Sequence, residues 1–148
     1  MKLFNNIEPH AHWLLRVVIA SVFIYHGTLK FMNLEGFAQM LPISYMETVL
    51  VAYAEVAGGS LVLVGGFSKD MLSDLATRIG AAMQIPVLLG AITLVHWGRW
   101  NFVPTESYPM GGMEFQVTLT LVALYLLITG NGAFESERTL NANQPASR

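Results

Sequence analysis

His26 and Lys30 stand four residues apart in the run HWLLRVVIASVFIYHGTLKF, His12 to Phe31. In a helix that spacing puts both on one face. The rest of the run is apolar and long enough to cross a bilayer. An imidazole and an ammonium placed there must face a protein interior, reach a headgroup, or do chemistry. Glu55 lies well inside a second apolar run, where a carboxyl has to be paired, protonated or hydrated. His96, Trp97 and Arg99 end a third run, and Glu114 opens a fourth. A carboxyl group with imidazoles that titrate near neutrality suits proton relay and hydrogen bonding to a ligand oxygen. Glu55 and His26 are therefore the candidate catalytic residues. Lys30, Glu114, His96 and Arg99 are candidate ligand-binding groups, and the rings of Tyr25 and Trp97 offer surfaces on which a ligand ring could rest.

Each residue also has a plainer use. Lys30, Arg99 and Glu114 stand near helix ends and can reach headgroups, and Glu114 complements a helix N-terminus. Trp97, Trp100 and Tyr108 suit an interfacial aromatic belt. Arg16 either snorkels inward or ligates a partner. His26 with His96 could hold a b-type haem, and His with Glu a metal. No further ligand spacing accompanies them, so haem is disfavoured and no metal site is assigned.

These residues need helices to position them, and the composition says which kind. The chain is 53 % hydrophobic and only 12 % charged, with a mean hydropathy of +0.49. Soluble domains are about a quarter charged. The apolar residues gather in four blocks, about 12–31, 45–67, 75–97 and 112–129, each near the length that spans ~30 Å of hydrocarbon. A polar tail, 133–148, follows. The expected fold is all-α: one domain over residues 1–148, an integral membrane bundle of four antiparallel helices. Pro86 should kink the third helix, and Ala52, Glu55 and Gly59 put the second helix's carboxyl on a face of small residues.

Lys2 precedes the first run, but Arg16 interrupts it and no A-x-A-like cleavage site follows, so that helix is expected to be retained. Lys2, Arg16, Lys69, Arg78, Arg138 and Arg148 fall on the side of the termini, against Lys30 and Arg99 on the other. By the positive-inside rule both termini are cytoplasmic. His26, Lys30, Glu55, His96, Arg99 and Glu114 then share the outer half, contributed by all four helices. The expectation is an outward-opening cavity with apolar walls and its polar groups at one end, in which Glu55 is paired with Lys30 or His26.

The net charge of −2 gives no nucleic-acid footprint. The absence of cysteine removes disulfides, thiolate-held clusters and thiol chemistry within the chain. Any redox role then needs a bound cofactor, a quinone or a partner subunit.

In this order and placement the residues resemble the DoxX family of small four-helix bacterial membrane proteins. The likeness runs from about Leu14 to Gly132. It rests on Arg16, the H-G-x-x-K run His26, Gly27 and Lys30, and the E-x-x-G-G of Glu55, Gly58 and Gly59. The turn Gly65-Gly66, the G-G-x-E of Gly111, Gly112 and Glu114, and Gly130-x-Gly132 complete it. The family is named for likeness to the membrane subunit of a thiosulfate:quinone oxidoreductase. The resemblance implies a bacterial inner-membrane protein with a quinone-linked redox role, working with a partner redox subunit or as a homo-oligomer. At the tail, Phe134-Glu135-Ser136-Glu137 replaces the family's aromatic–Ser–hydrophobic–Asp run, so nothing resting on that Asp carries over. The competing expectation is a non-catalytic assembly, stress or ligand-handling protein whose polar network fixes helix register.

Overall fold

The computed structural model describes residues 10–132. The first nine residues and the tail 133–148, with the Phe134 to Glu137 run, lie outside them. Among the described residues the structure is helical, apart from turns and one isolated bridge between Thr105 and Tyr108. The helices are α1 (His12–Met32), α2 (Leu34–Met40), α3 (Tyr45–Val64), α4 (Met71–Ala91) and α5 (Glu114–Thr129). A π-helical turn, Ile92–His96, continues α4.

Local chemistry explains where the ends depart from expectation. α4 starts at Met71 rather than near residue 75, because Asp70 caps it, accepting the Ser73 N–H at 2.8 Å. The Ser68 hydroxyl and that N–H hold the Asp70 carboxyl below the usual carboxylate range. α3 stops at Val64, where Gly65 and Gly66 turn the chain with amides bonded back to Leu61 and Leu63. Its start is a capping box: the Ser44 hydroxyl accepts from Glu47 N–H while the Glu47 carboxylate accepts from Ser44 N–H. α2 was not expected. Asn33 caps it through Gly36 N–H, and it folds the connection after α1 into a short helix.

α5 begins two residues later than expected. The amides of Gly112, Met113 and Glu114 donate to the carbonyls of Asn101, Arg99 and Trp100. The preceding loop thus satisfies the orphan amides of the helix start. Three helices, His12–Met32, Tyr45–Val64 and Met71–His96, are long and apolar enough to cross a membrane, while α5 has 16 residues, about 24 Å at 1.5 Å per residue.

The burial pattern departs from that of a water-soluble protein. Arg16, Thr48, Thr77 and Gln84 are fully buried, whereas Leu14, Leu50, Tyr53, Leu72, Leu121 and Ile128 are exposed. Polar side chains inside and apolar ones outside suit a hydrocarbon surround. Glycines set the helix spacing: a Cβ on Gly80 would lie 2.6 Å from Gly58 O and 2.8 Å from Val62 N, so α3 and α4 touch backbone to backbone. The apolar core of Ile19, Phe23, Val62, Leu88, Leu119 and Leu126 draws on α1, α3, α4 and α5.

Candidate functional site

Gly27 begins the site. A Cβ there would stand 2.7 Å from Val56 Cγ2, 2.9 Å from Ala52 O and 2.9 Å from Glu55 Cβ. Without one, α1 and α3 approach closely, and Lys30, one turn on, reaches Glu55. The Lys30 Nζ lies 2.8 Å from both Glu55 carboxylate oxygens, with the two residues 8 % and 5 % exposed. The Phe37 ring of α2 stands 5.6 Å from Nζ, a cation–π contact that covers the ammonium. On the other flank Gln84 Nε2 donates to Ala54 O at 2.9 Å, which holds α4 at the level of Glu55. Gly27→Ala should therefore act at a distance from its own small size. It is expected to spread α1 from α3, lower the thermal midpoint in detergent and loosen the ion pair. An unchanged midpoint would contradict the close-approach argument.

Beside the pair lies a cavity of about 390 Å³. Val22, Phe23, His26 and Lys30 of α1, Val51 and Glu55 of α3, and Phe115, Gln116 and Leu119 of α5 form three of its sides. The α4 side runs from Pro86 to His96, about 15 Å of helical rise. Phe37, Met40, Leu41, Pro42, Ile43 and Met110 complete the lining. The π-helical turn sets His96 into this wall, where its Nδ1 lies 3.2 Å from Gly111 O. A carbonyl only accepts, so that contact places a proton on Nδ1, and in a neutral ring Nε2 is then the acceptor. Gln116 adds a side-chain oxygen that is buried with no hydrogen-bond partner.

The structure brings together four of the eight sequence-derived residues: His26, Lys30, Glu55 and His96 all line the cavity. The other four do not line it. Tyr25 packs edge-on against His26, with centroids 5.5 Å apart, and is 62 % exposed, while Trp97 is 66 % exposed. Arg99 donates to Val103 O and Thr105 Oγ1 and lies over the Tyr108 ring, and Glu114 accepts from Phe102 N–H at 3.4 Å. These two charges fold the loop that leads into α5. Among the polar lining residues, His26 and Lys30 stand late in α1, His96 at the end of the turn that continues α4, and Gln116 at the start of α5.

Two contributors escaped the sequence reading because neither is charged. Gln116 follows Glu114 by two residues and takes the place expected for it. Phe37 reaches Lys30 only because the connection after α1 folds into α2. Among the described residues no cluster of three or more His, Asp or Glu side chains is placed to hold a metal ion.

A second polar centre occupies the opposite end of α1. The Arg16 guanidinium is fully buried and donates to His12 Nδ1, Val62 O, Thr77 Oγ1 and Asn131 Oδ1 at 2.5–2.9 Å. It is a partnered interior residue, not a snorkelling one. Asn131 in turn donates to Asp74, Gly65 and Ser68, so one side chain and its amide join the ends of α3, α4 and α5. Its position inside Gly130-x-Gly132 was the available signal, since Gly130 has φ +53 and ends α5 there.

Comparison with known proteins fits this arrangement. The DoxX family model matches residues 11–97. A Bacillus subtilis protein described as "Putative oxidoreductase CatD" is 35 % identical over 123 residues, covering 80 % of this chain and 78 % of that protein. An "Uncharacterized protein" of Haemophilus influenzae is 28 % identical over 141 residues, covering 87 % and 92 %. No solved structure matches. The chain belongs to the DoxX family, as a membrane protein whose apolar helices contact lipid.

Proposed function

We propose that this chain is the membrane subunit of a quinone-linked oxidoreductase and that a quinone headgroup sits in the cavity beside Lys30 and Glu55. The observation that carries the reading is the cavity itself. Its volume of about 390 Å³ falls within the range of small-molecule sites, and a buried ion pair and an unsatisfied amide oxygen meet mainly apolar walls. The residues fit such a group. Lys30 and Gln116 Nε2 would donate to a ring carbonyl, while Glu55, His96 Nε2 and the unpartnered Gln116 Oε1 would accept from a ring hydroxyl. Phe23, Val87 and Leu119 would hold the ring. A quinone supplies the redox step that a chain without cysteine lacks, with electrons delivered by a partner redox subunit. The printed name of the Bacillus subtilis relative agrees with a redox role.

In this reading the four long helices form an antiparallel bundle in the bacterial inner membrane, with both termini cytoplasmic. Cysteines introduced at Ser68 and Glu106 should then label from opposite sides of the membrane. Labelling of both from one side would contradict the topology.

Titration of the purified protein with a short-chain 1,4-benzoquinone, followed by tryptophan fluorescence, tests the site. Saturable binding is expected, weakened in Gln116→Leu by about three- to thirtyfold, as one buried hydrogen bond would produce. Absence of saturable binding would overturn the proposal. One observation favours a second reading, in which the network only fixes helix register: Lys30 and Glu55 already satisfy each other at 2.8 Å. Full activity of Glu55→Gln in a complementation assay would support it.

A further inference from the structure

The Arg16 centre holds a feature that the redox reading does not use. All four of the hydrogen bonds that Arg16 donates go to uncharged acceptors. The carboxylate of Asp74 is engaged elsewhere, accepting from Asn131 N–H and Arg78 Nε. Asp70 is bound to the Ser68 hydroxyl and the Ser73 amide. Among the described residues, then, no carboxylate accepts a hydrogen bond from this buried guanidinium, and the Asp74 carboxylate acts on it only across space. A buried charge with no hydrogen-bonded counter-charge is unfavourable.

Beside it the structure leaves a crevice of about 20 Å³ lined by His12, Arg16, Gly66, Ser68, Lys69 and Asn131. That volume admits one water-sized atom. Among the described residues the lining includes a guanidinium, an ammonium and a hydroxyl, and no carboxylate. Gly66 keeps the space open: a Cβ on it would press to 2.8 Å from Arg16 Cδ and 3.1 Å from Arg16 Nε. Ser68 and Lys69 are exposed, so the crevice meets the surface. It lies where α1 and α4 begin and α3 and α5 end, the depth at which headgroups sit if these helices cross a bilayer.

We infer that this crevice is a phosphate-oxygen site, with Arg16 and Lys69 binding one anionic oxygen of a phospholipid headgroup while the rest of the phosphate stays at the mouth. A free phosphate ion presents the same oxygen, and the test separates the two sources. The inference is independent of the quinone proposal.

The test uses the full chain in nanodiscs of phosphatidylcholine, with and without phosphatidylglycerol, and separately with inorganic phosphate, reading the thermal midpoint. Phosphatidylglycerol should raise the midpoint of the natural chain, and the rise should fall by more than half in Lys69→Gln. Gly66→Ala leaves the charge alone and fills the crevice, so it should lose the rise as well. A rise with inorganic phosphate alone, lost in the same variants, supports the site and assigns it to the free ion. No rise with either, or a rise unchanged in both variants, overturns the inference. If Gly66→Ala fails to fold, Lys69→Gln still decides.

Discussion

Lys30→Met is expected to destabilise the protein by about 3–5 kcal/mol, the usual result of removing one partner from a buried ion pair. Lys30 and Glu55 are both nearly inaccessible, and the ammonium meets both carboxylate oxygens at 2.8 Å. Removing the lysine leaves a carboxyl facing a cavity wall with its charge unmatched. Glu55→Gln should do less damage, since the amide keeps the shape and still accepts one hydrogen bond from Lys30. The pair of substitutions together should be far milder than their sum, because the double variant contains no unpaired charge. Unfolding in detergent, by heat or by denaturing surfactant, gives the three values. Strict additivity would show that the two groups are not coupled.

The second large effect belongs to Arg16→Leu. Its guanidinium ties His12 to Val62, Thr77 and Asn131, and so joins α1 to α3, α4 and the end of α5. Leucine fills part of the volume but removes four donated hydrogen bonds, leaving Asn131 Oδ1 with the Thr77 hydroxyl at 3.1 Å. A hydrogen bond to a charged group contributes about 1.5–3 kcal/mol, so a loss of roughly 3 kcal/mol or more is expected. Arg16→Lys keeps the charge, yet three donors on a point cannot span what a planar fork spans, and a substantial part of the loss should remain. Asn131→Ala should reproduce part of the effect and be strongly non-additive with Arg16→Leu. A midpoint for Arg16→Leu within a few degrees of the natural chain would contradict the account of this centre.

The helices and the ion pair were legible in the sequence for physical reasons. Hydrocarbon tolerates few charges, so Glu55 and Lys30 inside apolar runs announced themselves, whereas the close approach at Gly27 that joins them is seen only in the structure. What stayed hidden is set by geometry along the chain rather than by composition. The π-helical turn that sets His96 into the cavity wall has no signature in Ile92 to His96. The late start of α5 follows from loop carbonyls that come into place only once Arg99 and Glu114 have folded the loop. Those two residues carry the right chemistry for a site and spend it on architecture. Gln116 and Asn131 were passed over because a search for charge does not find amides, although amides are what the helix ends and the cavity use.

The measurement that bears most directly on the central claim is the quinone content of the purified protein, compared with that of Gly90→Leu. Gly90 lines the cavity, and a Cβ built on it meets nothing within 4 Å. Leucine also favours the helix over glycine by roughly 1 kcal/mol, so this variant should fold and fill the cavity without disturbing its neighbours. The account predicts that lipid extracts of the natural chain contain quinone in proportion to protein. It predicts that Gly90→Leu, with an unchanged thermal midpoint, loses that quinone. Equal quinone in both, or none in the natural chain under conditions that retain other membrane lipids, would contradict a quinone site beside Lys30 and Glu55.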